Sequence, residues 1–152
     1  MGIEIERKFL VKGDAWRTPG GTRYVQGYLR REKGRTIRVR IGGGRAFLTI
    51  KGPSTGASRP EFEYPIPVAD AEQLMAFCEG ARVEKIRHEV PFAGLTWEVD
   101  EFLGENQGLV VAEVELERED QPIEKPPWVG EEVTGDPRYY NASLAVRPYR
   151  AW

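Results

Sequence analysis

Pairs of acidic residues two positions apart are the feature of this 152-residue sequence with the clearest chemical use. The acids are Glu4 and Glu6, Glu61 and Glu63, Glu98 and Asp100, and Glu113 and Glu115, and the bases near them in the pattern are Lys8, Arg38, Arg40, Lys51, Lys85 and Arg87. Closely placed carboxylates repel one another unless a cation lies between them, and their oxygens suit hard divalent ions such as Mg²⁺ or Mn²⁺. Arginine and lysine bind phosphate oxygens. Acids and bases gathered in one cavity would therefore form a site for a metal-bound polyphosphate.

These residues lie in segments that alternate between charged and apolar residues, which is the period of a β-strand. In the segment 3–11, Glu4, Glu6 and Lys8 project to one side while Phe9 projects to the other. The pattern predicts eight strands, at residues 3–11, 23–31, 35–41, 45–51, 61–64, 83–91, 95–102 and 109–117. The three glycines at 42–44 predict a tight hairpin turn, and the glycine- and proline-containing stretch 52–60 predicts a flexible loop.

Two further segments predict helices, at residues 70–79 and 136–145. Asp70 can cap the first, and Asp136, followed by a proline at the first helical position, opens the second. Cys78 lies on the apolar stripe of the first helix. We interpret its thiol as buried rather than catalytic, because no activating base is near it in the sequence.

Strands that are charged on one face and apolar on the other allow two arrangements. The apolar faces could form an inner core with the charges in water, or the charges could line the inside of a barrel whose apolar outside is covered by other segments. The alternation alone does not choose between them. Acid pairs recurring on four strands favour the second, because charges on a solvated face usually vary in type. We therefore expect an α+β fold: an eight-stranded antiparallel closed β-barrel, a tunnel with a charged interior and with helices packed outside or at the ends.

Composition sets the wider expectations. The length suits one domain spanning residues 1–152. A formal charge of -2 and a pI near 5.6 provide no global basic field, so we expect no nucleic-acid partner. One cysteine fits a reducing compartment, and neither a signal peptide nor a long apolar run is visible, so we expect a cytoplasmic protein without a membrane partner, as a monomer or homodimer.

The segment 4–11, Glu-Ile-Glu-Arg-Lys-Phe-Leu-Val, resembles the Glu-x-Glu-x-Lys signature of the CYTH superfamily, the triphosphate tunnel metalloenzymes. Further motifs follow in the family's order over nearly the whole chain: Arg38-x-Arg40, Leu48-Thr49-Ile50-Lys51-Gly52, Glu61-x-Glu63, Lys85-x-Arg87, Glu98-x-Asp100, Glu113-x-Glu115 and Asn141-x-x-Leu144. The resemblance implies an eight-stranded tunnel that binds triphosphate-containing substrates with Mg²⁺ or Mn²⁺. His88 departs from the pattern, which would place an aromatic residue such as tyrosine there. It shares a face with apolar neighbours, so we predict a structural role for it.

The resemblance also implies roles for individual residues. Metal ligands are expected among Glu4, Glu6, Glu61, Glu63, Asp100, Glu113 and Glu115, and phosphate ligands among Lys8, Arg38, Arg40, Lys51, Lys85 and Arg87. Glu98 and Asp100 could hold a second metal or orient a basic side chain. The nucleophile would be water activated by the metal or by a carboxylate, with Glu63 and Glu115 among the candidates. In the second strand, Tyr24, Gln26, Tyr28 and Arg30 share one face, and a phenol at Tyr28 whose pKa is lowered by Lys85 could act as a base, or could simply contact substrate or pack.

The activity that the resemblance best supports is hydrolysis of inorganic triphosphate to pyrophosphate and phosphate, as in the small bacterial members of the family. Three alternatives remain open from the sequence: an adenylate cyclase of the class IV type, a thiamine triphosphatase, and a noncatalytic polyphosphate- or nucleotide-binding module. The binding module ranks lower because the chain retains both the acids and the bases.

Overall fold

The computed structural model describes residues 2–152, which form nine β-strands and two short α-helices. The strands are β1 (Ile3–Val11), β2 (Thr22–Glu32), β3 (Arg35–Gly42), β4 (Arg45–Lys51), β5 (Ser58–Ile66), β6 (Glu79–Phe92), β7 (Leu95–Phe102), β8 (Val110–Glu115) and β9 (Val129–Glu132). The helices are α1 (Val68–Leu74) and α2 (Asn141–Leu144), and 3₁₀ turns lie at Met75–Phe77, Gly104–Asn106, Pro137–Tyr139 and Tyr149–Ala151.

Eight of the strands close into an antiparallel barrel. Their order is β5, β4, β3, β2, β6, β7, β8 and β1, and closure comes from the pairing of β1 with β5, where Ile3 faces Pro60 and Ile5 faces Ser58. The C-terminal part of β1 pairs along the same edge with β9, through Phe9 and Val11. The expected eight-stranded barrel is confirmed, and β9 is an additional strand that the sequence pattern did not predict.

Several predicted boundaries were wrong. The strand β5 begins at Ser58 and runs through Pro65, although prolines suggested a loop before it and a stop within it. At Pro65 the strand has a partner on one side only, so the missing N–H is tolerated. The first helix begins at Val68 with Pro67 at its N-cap, so the prediction that Asp70 caps it was wrong. It ends before residue 79 because β6 begins there and pairs with β2. The predicted second helix is interrupted at Tyr140, which is extended.

The charged strand faces point into the barrel, and the apolar faces are covered from outside. Over β1, β7 and β8 the cover contains Trp16 and Trp128, which pack with the fully buried Phe9 and Trp97. Over β3 and β4 the cover is α1, whose Ala71 packs with Val39 and Ala46. The apolar alternation thus forms an outer core, and the second of the two arrangements is the one observed.

One end of the barrel is filled by apolar side chains. Val83, Phe102 and Val111 belong to the inward faces of β6, β7 and β8, and they pack with Tyr139 and Leu144 of the C-terminal segment. Burial of these side chains holds α2 against that end of the barrel. Consequently α1 lies outside the barrel and α2 at its end.

A β-bulge in β2 changes which side chains face the interior. Tyr28 pairs with Arg38, but the next pair is Arg30 with Ile37, so β2 contains one extra residue at this point. The shift turns Arg30 outward, where it pairs with Glu32, and turns Arg31 toward the interior cavity. The prediction that Arg30 shares a face with Tyr28 was therefore wrong.

His88 is buried outside the barrel. Its Nδ1 accepts a hydrogen bond from the Thr18 N–H at 3.1 Å, and its ring stacks edge-on against Trp16. These contacts hold the segment between β1 and β2 against β6, which supports the structural role predicted for His88. Cys78 is half-buried, and its sulfur packs against the Gly27 backbone, where an added Cβ would lie 2.6 Å from it. Burial raises the pKa of the Cys78 thiol.

Among residues 2–152, none of the helices has the length and apolar character needed to cross a bilayer.

Candidate functional site

The barrel encloses a cavity of about 900 Å³ whose walls carry the charged residues named from the sequence. All the predicted site residues except Asp100 line it: Glu4, Glu6, Lys8, Tyr28, Arg38, Arg40, Lys51, Glu61, Glu63, Lys85, Arg87, Glu113 and Glu115. The acidic residue Glu98 lines it as well. Strand alternation and barrel closure together bring these distant positions to one site.

Asp100 lies behind the cavity wall and binds two of the bases. Its carboxylate accepts hydrogen bonds from Lys85 Nζ at 2.7 Å and from Arg87 Nε at 2.8 Å, and it has no exposed surface. Burial disfavours the carboxylate, but the charges of Arg87 and Lys85 outweigh that effect and hold the Asp100 pKa well below its usual value. The carboxylate thus holds the side chains of both bases in place.

Lys85 is almost completely buried, and burial lowers its pKa to about 8 even though Asp100 favours the charged form. Its Nζ also donates to Asn141 Oδ1 at 3.0 Å. An ammonium group has three N–H donors, so one of them is left for a ligand in the cavity.

Glu113 joins two bases on the same side of the cavity. It lies 3.6 Å from Lys8 Nζ and 3.8 Å from Arg87 Nη2. Burial opposes ionisation of Glu113, but Lys8 and the neighbouring bases outweigh it and lower its pKa. Its cross-strand partner Glu98 accepts a hydrogen bond from Arg87 at 3.1 Å. Burial nevertheless raises the Glu98 pKa.

The wall formed by β3 carries two arginines whose N–H donors are not all paired with acidic side chains. Arg38 and Arg40 lie 3.8 and 3.6 Å from Glu63, which already accepts a hydrogen bond from Thr49. The Nε groups of both arginines are buried without a hydrogen-bond partner in residues 2–152. Burial lowers the Arg40 pKa, and the nearby charges of Arg38 and Arg87 add to the effect. This wall has an excess of positive charge and free N–H donors, which is the environment that an anion requires.

Lys51 joins two acids near the point of barrel closure. Its Nζ donates to both carboxylate oxygens of Glu4, at 3.0 and 3.1 Å, and lies 3.3 Å from Glu61. Burial raises the Glu4 pKa, and Lys51 counteracts this only in part. Lys51 therefore separates two carboxylates that would otherwise repel each other.

Glu6 and Glu115 have no such base between them. They are direct cross-strand partners on β1 and β8, and among the described residues neither side chain makes a hydrogen bond or an ion pair within 4.0 Å. Burial raises the Glu6 pKa well above its usual value, and the negative charges of Glu113 and Glu4 raise it further. This part of the cavity has an excess of negative charge.

The acids fit a hard divalent cation by their chemistry but do not form a complete protein cage. Within residues 2–152, no three acidic, histidine or cysteine side chains converge closely enough to hold an ion. Mg²⁺ is usually bound by one or two carboxylates, waters and substrate phosphates rather than by protein ligands alone. The adjacent Glu6 and Glu115 supply such a pair of hard oxygen donors, and a cation there would offset their repulsion.

Tyr28 lines the cavity next to the apolar end and is buried. Its hydroxyl accepts from the Gln26 side-chain amide at 3.4 Å, and no hydrogen bond joins it to Lys85 in the described part of the chain. The structure thus places Tyr28 in the cavity lining, in contact with Gln26.

Several lining residues escaped the sequence analysis. Arg31 was missed because of the bulge in β2, and Arg59 because the loop prediction made its strand begin too late, although Arg59, Glu61 and Glu63 continue one alternation. Asn141 stood only in a motif with no role attached. It lines the cavity because α2 closes the barrel end, which strand alternation does not predict.

Comparison of the sequence with models of protein families finds a match over nearly the whole chain. The model of the CYTH domain matches residues 2–149. An inorganic triphosphatase of Acetivibrio thermocellus is 51% identical over 152 residues, covering 99% of this chain and 97% of the relative. An inorganic triphosphatase of Nitrosomonas europaea is 41% identical, covering 94% and 97%.

Comparison with solved structures also finds proteins of similar fold. The crystal structure of an inorganic triphosphatase is 39% identical, has a TM-score of 0.66 and covers 94% of each chain. A putative adenylate cyclase from Bacillus halodurans has a TM-score of 0.56 at 16% identity, covering 79% of this chain and 84% of its own. At that identity the second likeness concerns the fold alone.

Proposed function

This chain belongs to the CYTH domain family, and on that premise we propose that it hydrolyses inorganic triphosphate to pyrophosphate and phosphate with Mg²⁺ or Mn²⁺. Two relatives at 51% and 41% identity over nearly their full lengths carry the name inorganic triphosphatase. The triphosphatases of this family are metal-dependent in general. A triphosphate is a compact polyanion that would fit within a charged cavity of about 900 Å³.

The observation that carries the proposal is the separation of uncompensated charge inside the barrel. Arg38 and Arg40 have buried N–H groups without partners, whereas Glu6 and Glu115 oppose each other without a base. A free anion would satisfy the first wall and a free cation the second. A polyphosphate carrying a divalent cation satisfies both at once.

The roles divide accordingly. Glu6 and Glu115 would hold the cation together with substrate oxygens, and Glu4, Glu61, Glu63 and Glu113 set the charge and position of the neighbouring bases. Lys8, Arg38, Arg40, Lys51, Lys85 and Arg87 bind the phosphates. Asp100 orients Lys85 and Arg87 from behind the wall. When bound, the cation supplies charge neutralisation for the phosphates and increases the acidity of water.

The reaction is an in-line displacement at the terminal phosphorus. A water oxygen forms the new bond to phosphorus as the bond to the bridging oxygen breaks, and pyrophosphate leaves with that oxygen and its electron pair. The proton of the water passes to a carboxylate, and our candidate is Glu115, one of the two cavity acids without a base from the described chain. The fixed guanidinium groups of Arg38 and Arg87 stabilise the charge that develops on the phosphoryl oxygens.

The test is to supply the purified protein with inorganic triphosphate, ATP or thiamine triphosphate, each with Mg²⁺ and with Mn²⁺, and to measure phosphate, pyrophosphate and cyclic AMP. Equal amounts of phosphate and pyrophosphate from triphosphate, at a higher kcat/KM than for the other substrates, would support the proposal. Pyrophosphate and cyclic AMP from ATP, or binding without turnover under every metal, would overturn it.

A further inference from the structure

Asn141 lies between Lys85 in the cavity wall and the apolar end of the barrel. Its Oδ1 accepts a hydrogen bond from Lys85 Nζ at 3.0 Å and another from Gln26 Nε2 at 3.0 Å. Because the Lys85 ammonium can only donate, the atom of Asn141 that faces it must be the oxygen. The network therefore fixes which way the Asn141 amide points.

That orientation leaves the Asn141 amide nitrogen directed away from both partners. Within residues 2–152, Nδ2 makes no hydrogen bond, and it is not among the buried polar atoms without a partner. The residue lines the cavity, and an N–H₂ group that is neither paired nor buried is free to donate to a ligand there. An accessible amide donor beside Lys85 matches a phosphoryl oxygen.

Gln26 supplies the independent observation. It has no exposed surface, donates to Asn141, and leaves its own Oε1 buried without a partner in the described chain. A buried acceptor without a partner destabilises a fold. The presence of this unpaired oxygen is explained if the Gln26 amide group serves to hold Asn141 in one orientation.

We propose that the Asn141 carboxamide is a substrate-binding group of this site, whose oxygen positions Lys85 and whose N–H₂ donates to a phosphoryl oxygen, with Gln26 as a positioning residue that fixes the orientation of the amide. The inference rests on the proposed function for the identity of the ligand. It adds a neutral donor beside the charged group of Lys85, and that donor depends on the docking of α2 against the barrel end.

The decisive variant is Asn141→Asp, which keeps an oxygen for Lys85 and Gln26 but replaces the N–H₂ donor with a second, negatively charged oxygen. We expect its affinity for inorganic triphosphate, measured calorimetrically without metal, to fall by about 100-fold or more, because a donor to a charged group is lost and repulsion is added. Asn141→Ala should weaken binding by about 10- to 100-fold. The thermal midpoint of Asn141→Asp should stay near that of the wild type.

The matched control is Asn106→Asp, the same chemical change at an asparagine whose Oδ1 accepts the Tyr149 N–H outside the cavity. Its triphosphate affinity should equal that of the wild type. Wild-type affinity in both Asn141→Asp and Asn141→Ala would overturn the inference, and so would an equal loss in Asn106→Asp.

Gln26→Leu tests the positioning role of Gln26. It also tests the inference about Asn141 if the Asn141→Asp protein does not fold. It removes the buried acceptor that has no partner, so its thermal midpoint should be unchanged or higher, while kcat/KM for triphosphate should fall by about three- to tenfold. A lower midpoint with unchanged kcat/KM would assign Gln26 to packing only and contradict its positioning role.

The binding and turnover measurements separate the two proposals. If the wild type binds triphosphate without hydrolysing it, the proposed activity fails, and the affinities of the Asn141 variants still decide the inference. If the wild type does not bind triphosphate, both are overturned.

Discussion

Glu6 on β1 lies directly opposite Glu115 on β8, so two carboxylates, the first half-buried and the second exposed, are cross-strand neighbours in the cavity lining. Like charges in such positions destabilise a sheet, and no base from the described chain pairs with either acid. Burial, together with the charges of Glu113 and Glu4, raises the Glu6 pKa well above its usual value. The free protein therefore carries a local electrostatic cost that a bound cation would remove.

Replacing Glu6 with Gln should separate stability from metal use. Because the change removes one of two repelling charges, the thermal midpoint without metal should stay constant or rise. The Mg²⁺ concentration for half-maximal triphosphate hydrolysis should increase by at least about 10-fold, since a cation ligand is lost. Titration of activity against Mg²⁺ measures the effect.

The matched control for that experiment is Glu117→Gln, which changes an exposed glutamate outside the cavity lining. Its metal dependence should be that of the wild type. An unchanged metal requirement in Glu6→Gln would remove Glu6 from the proposed cation site.

Asp100→Asn should destabilise the fold strongly. The change leaves Arg87 and Lys85 without the buried carboxylate that accepts from both, and breaking a buried charge pair in this way costs about 3 kcal/mol or more. Chemical denaturation should show this loss in the free energy of unfolding. The metal requirement of residual activity should not change, because Asp100 acts through the bases.

Asp120→Asn serves as the comparison, since Asp120 pairs with Arg118 on the exposed surface. Its unfolding midpoint should match the wild type. A raised metal requirement in Asp100→Asn would instead indicate that Asp100 is a cation ligand.

The affinity for triphosphate should depend on the charge of Lys85. Burial lowers the Lys85 pKa from 10.5 to about 8 in the free protein. Below that pH the side chain is cationic and attracts phosphate, and above it the neutral amine does not, so metal-free affinity should decrease as the pH rises past about 8. Isothermal calorimetry at a series of pH values measures this decrease.

Lys85→Arg isolates that titration from the titration of triphosphate itself. Arginine stays protonated throughout the range, so the ratio of wild-type to variant affinity should fall as the pH rises through the Lys85 pKa. A ratio that is constant with pH would mean that Lys85 keeps its charge.

Because of the bulge in β2, we expect the adjacent residues Arg30 and Arg31 to differ in their effect on substrate binding. Arg31 lines the cavity, whereas Arg30 is not among the lining residues and pairs with Glu32. Arg31→Ala should raise the KM for triphosphate by about three- to tenfold, because a cation near the phosphates is lost. Arg30→Ala, the same substitution one residue away, should leave the KM unchanged. The reverse result would contradict the observed register.

Local pattern was sufficient for much of the fold. The alternation in segments such as Ile3–Val11 and Arg45–Lys51 gave their boundaries correctly, because a strand exposes successive side chains on opposite faces whatever its partners are. The glycines at 42–44 marked the turn between β3 and β4. The order of charged motifs also sufficed to indicate the family.

The sequence by itself therefore determined which residues share a strand face and which chemistry those faces could support. Only the tertiary structure decided that the charged faces point inward, because this depends on the pairing of β1 with β5, strands that are distant in sequence. It also decided that Asp100 stands behind the wall, that a bulge exchanges Arg31 for Arg30, and that α2 brings Asn141 to Lys85. Each of these outcomes depends on long-range packing and register, which a local period of two residues does not specify.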